Sequence, residues 1–171
     1  MPVDVSLMVM GKFDKIVNNK KSEEERRARE YAFKLLGRRD YTSSRFKTKL
    51  EKRGYSRRTI SRVIKYLTGT GLLDDRKFSL NYAYSRLKRK PRGPMVLRYE
   101  LFKKGISPQV ANEVISKVYA QISEEELIGK VVKKEIGQIK ITDEIRRRLC
   151  QKLLRLGFSS ETIEKVTESR H

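Results

Sequence analysis

The side chains in this chain most able to do chemistry are cations, and they come in runs. The stretch SRLKRKPRGP sets Arg86, Lys88, Arg89, Lys90 and Arg92 within seven positions around Pro91. One or two cations complement a helix end, so five predict a surface that faces an anion. Arg38 and Arg39 close the first apolar-periodic segment, and Arg57 and Arg58 follow the tripeptide GYS. Lys103 and Lys104 stand just before Gly105, and Arg146, Arg147 and Arg148 span most of a helical turn, too much arc for all three to face a core. Over the chain 41 Lys and Arg oppose 21 Asp and Glu, a net charge of +20. A solvated surface is one reading of this charge, but self-repulsion of that size favours an offsetting polyanion, either nucleic acid or a strongly acidic protein assembly. Such charge gives affinity and on-rate without reading sequence. Tyr41, Tyr55, Tyr66, Tyr82, Tyr84 and Tyr99 are interspersed among the cations. Some could stack on bases, while core or corner packing is the expected place of most.

Other chemistries lack their parts. The only histidine is His171, so the sequence offers no Ser-His-Asp or Cys-His pair and no histidine-based metal site. GTGLLDD lacks the lysine and the preceding strand of a phosphate-binding loop. Asp74-Asp75, Glu23 to Glu25 and Glu124 to Glu126 read as helix starts, where carboxylates complement the dipole. A single cysteine, Cys150, excludes an internal disulfide, and its apolar helical position suits a small buried hydrophobe. The expectation is therefore no catalytic residue, no cofactor and no metal. No run approaches the ~20 apolar residues of a membrane span. Met1 to Met10 lacks the basic start and cleavage site of a signal peptide, so a cytoplasmic location is expected; a monomer is expected separately.

The elements that must carry these cations repeat. Gly54, Gly105 and Gly157 lie 51 and 52 residues apart, each followed by an apolar residue and then Ser. Aligning them brings Leu50, Leu101 and Leu153 into register four residues before, with Phe46, Leu97 and Leu149 eight before. Ile60, Ala111 and Ile163 fall six after, and Val63, Val114 and Val166 nine after. These spacings trace one helical face on each side of the glycine. Gly suits the left-handed residue that ends a helix, and Ser56, Ser107 and Ser159 suit the N-cap of the next. Pro108 fits the first helical position, and Tyr55–Ile60 and Phe158–Ile163 fit hydrophobic staples. Ser22-Glu23-Glu24-Glu25 and Ser123-Glu124-Glu125-Glu126 read as capping boxes and Asp74-Asp75 as a cap, each opening a further helix upstream of a corner. The result is an all-α chain of three tandem three-helix repeats, 22–70, 71–121 and 122–171, in an elongated, curved array. Residues 1–21 form an N-terminal extension whose VDVSLMV alternates like a short strand or docking arm. At the corners the residues after Ser vary, being Arg57-Arg58, Pro108-Gln109 and Ser160-Glu161. The corner is thus architecture, and its surroundings are what differ by copy.

Several of these pieces together resemble the RecX family, modulators of the RecA recombinase. The matching residues are Ala32, Leu35, Leu36, Arg38 and Arg39, then Lys49-Leu50 with Arg53-Gly54-Tyr55. Gly71-Leu72-Leu73-Asp74-Asp75 with Phe78 follows, then Gly93-Pro94, Leu97, Glu100-Leu101 and Lys104-Gly105-Ile106. The resemblance is close over residues 25 to 120 and weaker over 121 to 171. It implies three tandem three-helix repeats that lodge in the groove of the RecA–single-stranded DNA filament. It further implies a regulator, mainly negative, that limits filament extension and lowers ATPase, strand-exchange and coprotease activity, with no catalytic residue. Charge density alone selects the cations named above as contact candidates. Two other readings stand beside this one: a sequence-nonspecific nucleic-acid binder built from helix-turn-helix-like corners, and a helical scaffold for another acidic partner.

Overall fold

The computed structural model describes residues 23–137 and 141–168. The VDVSLMV alternation, the cap at Ser22 and His171 lie outside them. Among the described residues the regular structure is helical throughout. The helices are α1 (23–36), α2 (Ser43–Lys52), α3 (Arg57–Gly69), α4 (Asp75–Arg89), α5 (Pro94–Lys103), α6 (Pro108–Tyr119), α7 (Glu124–Ile136), α8 (Asp143–Arg155) and α9 (Ser160–Glu168). They form three triplets, α1–α3, α4–α6 and α7–α9. They fall into two compact units that divide between Asp74 and Asp75. The first holds α1–α3 around Ala28, Ala32, Phe46, Leu50, Ile60, Val63 and Leu67. The second holds α4–α9, and its core runs without a break from Ala83 and Leu97 through Val114 and Val132 to Leu153 and Ile163. The second and third triplets therefore share one interior. A three-helix unit of ~50 residues buries little apolar surface alone and gains by this fusion.

The Gly-Ser corners form as the spacing predicts. Gly54, Gly105 and Gly157 have φ of +84°, +80° and +87°. Around each, the next residue's N–H reaches back to the aligned leucine: Tyr55 to Leu50, Ile106 to Leu101 and Phe158 to Leu153. The glycine's own N–H bonds Glu51, Phe102 or Leu154, which completes a Schellman end in all three copies. Ser56, Ser107 and Ser159 accept from the N–H of Thr59, Val110 and Thr162. The aligned leucines are all fully buried, and Pro108 opens α6. Tyr55 packs on the same cluster as Ile60, and its hydroxyl donates to the Arg27 carbonyl of α1, so it clamps the corner to the first helix as well. Ser123 caps α7 through the Glu126 N–H; its hydroxyl also meets the Glu125 carboxylate at 2.6 Å. The second helix of each triplet starts at Thr42, Gly93 or Thr142, and the two threonines accept from Arg45 and Ile145.

Two carboxylates read from sequence as dipole partners also tie a triplet's first helix to its corner. Glu24 accepts from Ser56 N at 2.7 Å, Ser56 Oγ at 2.9 Å and Thr59 Oγ1 at 2.8 Å. Glu124 accepts from Ser159 N at 3.4 Å. The Ser56 amide holds the Glu24 carboxyl below its ordinary value, whereas burial pushes Glu124 above it. A depressed folded-state value adds stability that is present above the unfolded value, about 4.3, and lost as pH falls through the lower one. A raised value does the reverse, so the Glu124 contribution is lost as pH rises through it. Glu24→Ala is expected to cost the first unit about 1 kcal/mol at pH 7 and less at pH 3, which lies below the unfolded value. Glu124→Gln keeps an acceptor and removes the half-buried charge, so it should leave the second unit no less stable at pH 7. Thermal unfolding at the two pH values checks both.

Candidate functional site

The densest basic run sits where α4 turns into α5. Tyr82 and Arg86, one turn apart on α4, both reach Glu100 of α5. Arg86 Nε lies 3.0 Å from Glu100 Oε2, and the Tyr82 hydroxyl donates to the same oxygen at 2.8 Å. Arg92 Nε approaches Glu100 Oε1 at 3.8 Å. Burial alone would raise the Glu100 carboxyl, but its bonds to Arg86 and Tyr82 outweigh this and hold it below the ordinary carboxylate value. The same partner raises the Arg86 guanidinium, and burial with Glu100 raises the Tyr82 phenol. Two of the five clustered cations are thereby turned inward. Lys88, Arg89 and Lys90 remain exposed.

The fold holds this corner firmly. The Tyr119 hydroxyl of α6 donates to the Arg92 carbonyl at 2.6 Å. Gly93 N–H bonds the Leu156 carbonyl at 2.8 Å, and Met95 N–H bonds Gly157 O at 3.1 Å. The α4–α5 corner thus lies directly on the α8–α9 corner, and three exposed cations are presented from a rigid base.

The other sequence-selected cations are distributed. Arg38 and Arg39 follow α1 on exposed loop, with the Arg39 guanidinium 4.8 Å over the Tyr41 ring. Arg57 and Arg58 occupy the first two positions of α3, exposed, in a first turn without an acidic residue. Cations there oppose the helix dipole, so local stability does not explain them. Lys103 Nζ stands 4.7 Å over the Tyr99 ring, and Lys104 Nζ 4.2 Å over Tyr82. Arg146 is half-buried on α8, and Arg147 and Arg148 are exposed. Arg148 borders an open cleft of about 490 Å³ between the end of α7 and α8, floored by Ile136, Ile145 and Leu149. Arg38, Arg39, Arg57 and Arg58 belong to the first unit and all the others to the second.

Of the tyrosines, Tyr41 is buried, Tyr55 clamps its corner, and Tyr82 and Tyr84 are hydrogen-bonded to Glu100 and Gln121. Tyr66 and Tyr99 are exposed, each with a cation over its ring. Sequence reasoning passed over Met95 and Phe102, which stand exposed beside Tyr99 on α5. Cys150 is half-buried against the core. No group of three or more His, Cys, Asp or Glu among the described residues is arranged to hold a metal ion. No helix among them is long and apolar enough to cross a membrane.

Residues 28–67 match the family model described as RecX, first three-helix domain, and residues 74–115 match RecX, second three-helix domain. These spans correspond to α1–α3 and α4–α6. A regulatory protein RecX of Chlorobium phaeobacteroides is 40% identical over 93 residues, covering 54% of this chain and 62% of that protein. One of Prosthecochloris aestuarii is 32% identical over 143 residues, covering 84% of this chain and 93% of that protein. The crystal structure of RecX from Lactobacillus salivarius superposes with a TM-score of 0.75 at 20% identity, over 86% of this chain and 97% of that one, and so shares the fold. With both three-helix domains matched in order and identity sustained over nearly the whole length of a relative, the chain belongs to the RecX family.

Proposed function

We propose that this chain is a non-catalytic, mainly negative regulator of RecA, acting in the cytoplasm as a monomer on the RecA–single-stranded DNA filament. It docks along the filament groove through exposed cations, limits extension, and so lowers ATPase, strand-exchange and coprotease activity. Membership of a family whose relatives are named regulatory proteins carries this reading. The charge of +20 supports it, because a filament offers both DNA phosphate and acidic protein surface to offset the repulsion. So do Arg57 and Arg58, held against a helix dipole with no local benefit.

The direct test is RecA ATPase on single-stranded DNA with substoichiometric added protein. Inhibition growing with added protein is expected; unchanged turnover at every ratio overturns the reading. The rival, a nonspecific nucleic-acid binder, predicts steeply salt-dependent binding to naked DNA with RecA turnover unaffected.

A further inference from the structure

Helix α5 buries one line of side chains and leaves another bare. Leu97 and Leu101 are fully buried, whereas Met95, Tyr99 and Phe102 are 63%, 56% and 61% exposed. At i, i+4 and i+7 these three form one stripe along a 10-residue helix. An apolar stripe held in water points to a partner that covers it.

The surrounding charge says which kind. Arg98 and Lys103 are exposed on the same helix, and Lys103 lies over the Tyr99 ring. Glu100 is the only carboxylate in the sequence between Asp75 and Glu113, and it is turned inward to Arg86 and Tyr82. Every exposed side chain of α5 is therefore apolar, aromatic or cationic. The exposed Lys88, Arg89 and Lys90 precede this helix in the chain and add to the positive charge around it. An apolar protein groove would match the stripe but leave these cations to be desolvated without partners. A single strand matches both, with a π-face at every base and a phosphate at every link. A duplex keeps its bases stacked on one another and offers the stripe nothing.

We propose that the α5 face made by Met95, Tyr99 and Phe102, flanked by Arg98 and Lys103, is a stacking platform for single-stranded nucleic acid. This deepens the RecA-filament reading by naming the surface that meets the strand, and rests on that reading for its setting only, since the contact needs no RecA.

The chain has no tryptophan, so Phe102→Trp supplies its only indole. Titrating that full-length variant with oligothymidylate, without RecA, should quench its fluorescence in step with binding; a duplex of equal length should not. Tyr99→Ala with Phe102→Ala removes only exposed rings and should leave the melting curve in place. It should weaken oligothymidylate binding about tenfold or more while the salt dependence, set by phosphate contacts, stays unchanged. An unquenched indole on a saturating strand, or full affinity in the double variant, overturns the proposal. So does a double variant that binds the strand normally yet no longer inhibits RecA, because the stripe would then be a protein-docking face. Wild-type protein that fails to inhibit RecA would overturn the filament reading alone and leave the stacking result standing.

Discussion

Gly157→Ala is expected to remove about 3–5 kcal/mol from the α4–α9 unit, a large share of the roughly 5–15 kcal/mol that keeps an ordinary domain folded. Two costs coincide there. Gly157 has φ of +87°, where a side chain is strained, and a Cβ would lie 2.5 Å from the Val96 nitrogen. From the opposite side, a Cβ on Gly93 would lie 2.1 Å from the Gly157 carbonyl carbon and oxygen and from Phe158 N. Backbone meets backbone, so no rotamer change relieves either clash. The two corners are also hydrogen-bonded, Gly93 to Leu156 and Met95 to Gly157, and separating them would strand those groups. Gly93→Ala is expected to be comparably damaging through the close approach alone. Gly54→Ala is the control: its φ is +84°, but nothing lies within 4 Å, so only the conformational cost of about 1 kcal/mol applies. Urea unfolding followed by hydrogen exchange of each unit distinguishes them. Equal losses for Gly157→Ala and Gly54→Ala would show that the corner-to-corner contact contributes nothing.

The contrast between those glycines marks what a sequence can disclose about this fold. Gly54, Gly105 and Gly157 look alike in sequence because each performs the same local task, ending a helix before a serine cap. Local tasks have fixed spacing, which is why the aligned Leu50, Leu101 and Leu153 are all buried and all accept the same backbone bond. The second task of Gly157 depends on Gly93, 64 residues away in the chain, and no period records it. Glu24 is hidden for the same reason. It stands among Glu23 and Glu25 as one of three helix-start carboxylates, and its selection by Ser56 and Thr59 follows from how α1 crosses the corner.

Within the candidate site, charge density located the α4–α5 run but could not sort it. Arg86 and Arg92 differ from Lys88, Arg89 and Lys90 only because Glu100 faces them, and that pairing is tertiary. The α5 stripe escaped detection because Met95, Val96, Leu97, Tyr99, Leu101 and Phe102 make the helix apolar nearly all round. Such a pattern says that a helix is buried, and only the packing of Leu97 and Leu101 reveals which side is left over.

That sorting of the basic run makes its two halves separable by experiment. The triple substitution Lys88→Ala, Arg89→Ala and Lys90→Ala is expected to weaken action on the filament by about 10- to 100-fold, at roughly 0.5–1 kcal/mol per exposed phosphate contact. Binding to single-stranded DNA should lose about two units of salt slope, near 0.7 for each phosphate contact removed. Stability should move by less than about 0.5 kcal/mol, because these side chains are exposed and away from the core. Arg86→Ala should behave in the opposite way. It leaves Glu100 half-buried with only the Tyr82 hydroxyl and the more distant Arg92, and losing the strongest of its charge-assisted bonds costs about 1–3 kcal/mol. The salt slope should then stay near that of the wild-type protein, because Arg86 is committed to Glu100 rather than to phosphate. RecA ATPase titrations and salt-dependent oligonucleotide binding, each beside a urea midpoint, read the two effects independently. A triple variant with undiminished potency would move the contact surface elsewhere on the chain. An Arg86→Ala variant that lost salt slope without losing stability would mean that its guanidinium leaves Glu100 for the strand.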